Sequence, residues 1–278
     1  MNIVEKFIEE VIAAHKTGAA TEHSYRPALQ SLFNALAKGV TALNEPKRVA
    51  CGAPDFIIQR GEIVIGHAEA KDVGVSIRTL NEFNKNQQER YRKALPNLIY
   101  TNCLDWDFYQ NGEIIATVSI ASLEAGISPK KDQYETLENL LRNFIAQRPQ
   151  TITSPRVLAE MMAGKAMLIK DVLFNTLKAD ENLQSDISEQ YHAFREHLIH
   201  DITAEDFADI YAETIAYGMF AARLHDLTLD TFSRQEALTL LPKSNPFLRN
   251  LFGYVAGVDL DERISWIIDD LAGVFQAA

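Results

Sequence analysis

Gly52-Ala53-Pro54-Asp55-Phe56-Ile57-Ile58-Gln59-Arg60-Gly61-Glu62-Ile63-Val64-Ile65-Gly66-His67-Ala68-Glu69-Ala70-Lys71 is the stretch on which the reading of this chain turns. It reads as a hairpin: an apolar strand from Asp55, a polar turn over Gln59–Glu62, and a second strand over Ile63–Ala70. Side chains alternate between the faces of a strand. One face of the second strand therefore carries His67, Glu69 and Lys71, and the other carries Val64, Gly66, Ala68 and Ala70. The small apolar face suits close packing by a helix. The other face ends in a carboxylate and an amine two residues apart, and such charges are seldom buried without a partner or a task.

That chemistry is what phosphodiester hydrolysis asks for. Asp55 and Glu69 could share Mg2+ or Mn2+, and magnesium is commonly held by one or two carboxylates, with water and substrate phosphate completing its shell. Lys71 could act on the attacking water or on the charge that builds at the phosphate. Magnitudes favour a metal. A lone general base supplies roughly 10²–10⁴-fold, whereas enzymes typically reach roughly 10⁶–10¹⁷-fold.

Pro54-Asp55 followed by Glu69-Ala70-Lys71 resembles the signature of the PD-(D/E)XK nucleases. Gln87-Gln88-Glu89-Arg90-Tyr91 is similar to the QxxxY pattern of the RecB-like branch, its Gln87 and Tyr91 one helical turn apart. Glu22, at the start of an early helix, stands where the family often has a further acid. The resemblance implies a restriction-endonuclease-like α/β (α+β) fold. It also implies Asp55 and Glu69 as metal ligands completed or oriented by Glu22, and Lys71, Gln87 and Tyr91 as catalytic or positioning groups. Read without the resemblance, Glu22 caps a helix, Gln87 and Tyr91 lie on an ordinary helix surface, and Glu69–Lys71 is a solvated strand end.

Around this stretch the elements alternate. Amphipathic spacing predicts helices over 2–16 and from Glu22 to Gly39. Strands are expected at about 47–51, 55–59 and 63–70, then a helix over 79–94. A buried strand at Leu98–Thr101 and a hairpin turning at Asn111-Gly112 follow. This order suits a mixed central sheet flanked by helices. His23 and Arg26 beside Glu22, and the later Arg78, Lys85, Arg90, Arg92 and Lys93, are candidates for phosphate contact or for solvated helix faces.

Pro129-Lys130-Lys131-Asp132 reads as a boundary, giving a nuclease-like domain over 1–130 and an acidic all-helical coupling domain over 131–278. Helices are expected at 133–147, 155–179, 183–199, 203–222, 233–241, 245–255 and 259–276. Of the 278 residues, 47% are hydrophobic and 23% charged, and the formal net charge is −11. The first 130 residues carry 14 Lys/Arg against 15 Asp/Glu, and the remainder 13 against 23. The acidity thus lies in the half least suited to phosphate contact. Cys51 and Cys103 make no disulfide or zinc pattern, and no signal peptide or apolar run of membrane length is present, so a cytoplasmic location is expected. His197, His200 and Asp201 sit near one another, but without a second ligand pair they read as a solvated helix end. Asn245-Pro246-Phe247 lacks the second proline of the amino-methyltransferase motif and reads as a helix start.

Phe207–Arg223, Ser244–Phe252 and Trp266 with Asp269-Asp270-Leu271 are similar to the helical region that joins nuclease and methyltransferase in single-chain (type IIG and single-polypeptide type I) restriction-modification enzymes. The resemblance implies a divalent-metal-dependent DNA endonuclease. Its partners would be DNA and adenine methyltransferase and target-recognition parts lying outside these residues, and cutting both strands would call for pairing of copies on DNA. The alternative is a non-catalytic N-terminal module of an adenine-specific methyltransferase that docks DNA or a partner subunit.

Overall fold

The computed structural model describes residues 2–44, 54–61, 63–79, 82–146, 152, 154–180, 185–228, 231–241, 246–257 and 260–278. It is a mixed α/β chain that divides into two compact units, one ending at Ala146 and the other beginning at Ile152 among the described residues.

The first unit is built on a six-stranded sheet in the order β1-β2-β3-β4-β5-β6: β1 Val40–Asn44, β2 Phe56–Arg60, β3 Ile63–Ala70, β4 Asn97–Thr101, β5 Asp105–Gln110 and β6 Glu113–Ser119. Neighbours are antiparallel except β3 and β4, which run parallel across the crossover helix α3 (Glu82–Ala94). The expected hairpin is β2–β3, with a bulge after Ile58. The Asn111-Gly112 turn joins β5 to β6, and both residues adopt positive φ (49° and 82°), as a two-residue hairpin requires. β1 differs from the sequence reading. Helix α2 (Glu22–Asn34) ends well before Gly39, and Val-Thr-Ala-Leu-Asn pairs with β2. The strand expected at 47–51 lies outside the described residues.

Helices α1 (Ile3–His15), α2 and α4 (Tyr134–Ala146) contribute apolar faces to one core with the sheet. Phe56, Ile58, Ala68, Ala70, Ile99, Trp106, Phe108 and Val118 meet them there. Phe7 and Phe33 contact the Trp106 ring edge-on at 5.7 and 6.3 Å. The boundary expected at 130 falls instead beyond Ala146, because α4 belongs to this core. Its Leu137, Leu141, Phe144 and Ile145 are buried, and a Cβ on Gly66 would lie 2.5 Å from the Phe144 ring. The small face of β3 is the seat of α4. Asn97 fixes the helix end by donating from Nδ2 to Ile65 O (2.9 Å) and Phe144 O (3.1 Å). Between β6 and α4 a short hairpin pairs β7 (Ala121–Leu123) with β8 (Ile127–Pro129).

All the regular structure described in the second unit is helical: α5 Pro155–Ala179, α6 Asp186–His197, α7 Ala204–Leu224, α8 Arg234–Leu240, α9 Pro246–Val255 and α10 Glu262–Ala277. Side-chain caps mark the starts of α5 and α7. Ser154 caps α5 ahead of Pro155, and the Thr203 hydroxyl accepts from Asp206 N. α7 is central. Its Phe207, Tyr211, Ile215 and Met219 are buried, and a Cβ on Gly218 would lie 2.4 Å from the Phe252 ring of α9. Lys165 of α5 is fully buried and paired with Asp270 of α10. Among the described residues no helix is long and apolar enough to cross a membrane.

Candidate functional site

The register of the sheet assembles the acidic residues. Phe56 pairs with Ala68, so one further step sets Asp55 across from Glu69, on the face of the sheet away from the α1–α2–α4 core. Asp55 is held in place by the sheet itself: its Oδ2 accepts the Ala70 N–H at 2.7 Å. Glu69 pairs with Tyr100 of β4, and Tyr100 with Asp107 of β5, so a polar row crosses three strands on that face. Asp55, Glu69 and Asp107 are 2, 4 and 1% exposed. The Glu69–Lys71 pair is not the solvated strand end of the bland reading.

Lys71, just past β3, donates from Nζ to Glu69 Oε1 (2.7 Å) and to Gln87 Oε1 of α3 (2.9 Å). Gln87 Nε2 in turn lies 3.4 Å from the Tyr91 hydroxyl. The Lys71 backbone is anchored separately, by N–H donation to Thr101 O at 2.8 Å. Gln87 is therefore spent on orienting the ammonium, and Tyr91, fully buried, backs Gln87. An ammonium has three donors; two are taken by these side chains.

Glu22 joins through an intermediary. Arg26, one turn along α2, donates from Nη2 to Glu22 Oε1 (2.6 Å) and to Asp55 Oδ1 (2.5 Å). The structure thus brings together Glu22, Asp55, Glu69, Lys71, Gln87 and Tyr91, and it adds Arg26 and Tyr100. His23 is exposed. Of the later basic cluster, Arg92 donates to Gly112 O from Nε and Nη2 (2.8 and 2.6 Å) and stacks over Tyr109, so it holds the β5–β6 turn. Arg78, half-exposed, is gripped by buried Asp107 through Nε and Nη2. Lys85 and Lys93 are exposed.

Electrostatics follow from burial. The Glu69 carboxyl is pushed up to about 8, first by its burial and then by the Asp55 charge, against the pull of Lys71. The Tyr91 and Tyr100 hydroxyls are pushed well above their ordinary value by burial and by the Glu69 charge. Glu69 Oε2 and the Tyr100 hydroxyl are buried with no hydrogen-bond partner among the described residues. An ionised carboxylate oxygen left in that state is expensive. Either it carries a proton or it faces a cation.

Among the described residues no group of three or more His, Cys, Asp or Glu side chains is placed to hold a metal ion. The two-carboxylate arrangement of Asp55 and Glu69 nonetheless fits the donor set of magnesium or manganese, ions that keep much of their water. The orphaned Glu69 Oε2 is the atom such an ion would satisfy. At the other positions singled out by histidines, His200 Nδ1 lies 3.0 Å from Arg195 O. Asn245 and Cys51 lie outside the described residues; Pro246 begins α9, and Cys103 is a buried free thiol.

No protein-family model matches this chain, and no curated protein matches it. Among solved structures it is similar to a DrdV–DNA complex determined by cryo-electron microscopy, at 20% identity and a TM-score of 0.41. That similarity covers 99% of this chain and 26% of the other, so this chain spans about a quarter of the length of the protein it matches.

Proposed function

We propose that this chain is the divalent-metal-dependent DNA endonuclease part of a restriction-modification enzyme, whose adenine methyltransferase and target-recognition parts lie outside these residues. The observation that carries the reading is the buried cluster at the end of β3, where Glu69 lies across from Asp55 and, with Gln87, holds Lys71. Asp55 and Glu69 would hold Mg2+ or Mn2+, with Glu22 orienting the set through Arg26. When bound, the cation would supply charge stabilisation at the phosphate and a more acidic water. Lys71 keeps one donor for that water or for a phosphate oxygen. Gln87 fixes the direction of the ammonium, and the buried Tyr91 hydroxyl backs Gln87. Charge balance supports a cation as well. Glu22, Asp55 and Glu69 outnumber Arg26 and Lys71, and the buried Glu69 bears the deficit.

The test is nicking of supercoiled plasmid at low salt with Mn2+ or Mg2+, wild type against Lys71→Ala. Metal-dependent cutting by the wild type that the variant lacks is the expected result. A Lys71→Ala protein that cuts as well as wild type overturns the assignment.

The acid excess beyond residue 130 favours a second reading, a non-catalytic module docking a protein partner. Metal that binds the native state raises its stability by RT ln(1 + [L]/Kd). A Mn2+-dependent rise in melting temperature that is lost in Asp55→Ala supports the metal site, and its absence in the wild type supports the docking module.

A further inference from the structure

We infer that Arg26 is a built-in counter-ion for Asp55 that occupies the cation side of this carboxylate in the metal-free protein and withdraws from Asp55 Oδ1 when a divalent cation is taken up. The inference rests on the metal reading above.

Both oxygens of Asp55 are engaged within the protein. Oδ2 accepts the Ala70 N–H, and Oδ1 accepts Arg26 Nη2 at 2.5 Å. The amide belongs to a paired strand and cannot move without breaking the sheet. The guanidinium sits at the end of a long side chain, and both of its carboxylate bonds run through the single nitrogen Nη2. Its Nε is buried with no hydrogen-bond partner among the described residues. An arginine locked for structural reasons usually commits its fork bidentately, as Arg78 does on Asp107. Arg26 is held by one corner. Glu22 offers it a second anchor one helical turn away, 32% exposed, on which it can remain after leaving Asp55.

Charge favours the exchange. Arg26 and Lys71 already match the charges of Glu22 and Asp55, and Glu69 is the third carboxyl of the set. A divalent ion added to that set leaves one in excess, with a guanidinium and the ion competing for the same carboxylate in a water-poor site. The group that can give way at Asp55 is Arg26, which keeps its bond to Glu22.

Titration of the full chain with MnCl2 alone, followed by calorimetry, tests this on wild type, Arg26→Gln, Arg26→Lys and Asp55→Asn. Arg26→Gln is expected to bind Mn2+ about tenfold or more tightly than wild type, since a competing charge has gone. Arg26→Lys keeps the charge and stays near wild type; Asp55→Asn loses binding. The Arg26 Nε–Hε resonance of the wild type provides a second reading that needs no variant, and it shifts as MgCl2 saturates the site. If wild type binds Mn2+, Asp55→Asn does not, and Arg26→Gln binds no better than wild type with an unmoved Nε–Hε signal, the counter-ion role is overturned while the metal site stands. Absence of Mn2+ binding in wild type and Arg26→Gln alike overturns both.

Discussion

Replacing Glu69 by Gln should stabilise the metal-free protein at alkaline pH while removing its response to metal. Glu69 is 4% exposed, and its carboxyl is raised to about 8. A group whose folded value lies above its unfolded value adds stability that is complete below the unfolded value, near 4.5, and is lost as pH rises through about 8. At pH 7 the lost contribution is on the order of 3 kcal/mol, and above pH 8.5 on the order of 5. The substituted amide would keep an acceptor for Lys71 Nζ but place a donor where Oε2 lacks a partner, a penalty of about 1–3 kcal/mol. The balance at pH 8.5 is a gain of about 2–4 kcal/mol, or roughly 4–16 °C in the unfolding of the sheet unit. The assay is urea or thermal unfolding in EDTA from pH 5 to 9. Trp106 fluorescence in a Trp266→Phe background reports on the sheet unit alone. At pH 5 the gain vanishes or reverses. A Glu69→Gln protein that is less stable at pH 8.5, or whose difference from wild type ignores pH, refutes the reasoning. On the proposed metal reading, Mn2+ should invert the order, since the ionised carboxylate is the better ligand.

Three further outcomes follow from packing. Gly66→Ala should cost about 1–3 kcal/mol in the Trp106-monitored urea midpoint, since its Cβ would meet Phe144 at 2.5 Å and the fixed Asn97 carbonyl at 2.8 Å. Gly218→Ala should lower the transition seen through Trp266 by a similar amount, about 1–3 kcal/mol, its Cβ lying 2.4 Å from the Phe252 ring. Asp270→Ala leaves the buried Lys165 ammonium without this partner and should cost about 3–5 kcal/mol; the double change Lys165→Met/Asp270→Leu should recover most of it in chemical denaturation.

The site was legible where it is local. Strand alternation alone puts Glu69 and Lys71 on one face, and helical spacing alone puts Gln87 and Tyr91 on one side of α3. What sequence could not supply is what the sheet and α2 bring across. Arg26 meets Asp55 over a separation of 29 residues, and Tyr100 joins Glu69 only through the parallel β3–β4 pairing. The helices of the second unit lie close to the ranges expected of them. β1 went unread because five residues of mild alternation after a long helix carry little period-two signal. The domain boundary was misplaced because Lys130-Lys131-Asp132 is polar enough to pass for a linker. Only packing reveals that Phe144 fills the notch left by Gly66.

The single parallel junction in the sheet also bears on how the chain folds. β1–β3 and β4–β6 are each serial antiparallel ribbons, closable by short loops apart from the 45–53 segment. Joining β3 to β4 requires the whole 71–96 excursion through α3, the longest connection between consecutive strands of the sheet. Lys71 N–H bonds to Thr101 O at that seam, and Gln87 rides on the excursion itself. Assembly of the cluster therefore coincides with zipping of the two ribbons. Either ribbon alone has the acidic residues or the seam strand but lacks Gln87 to orient the ammonium, so the full cluster exists only once the two ribbons are joined.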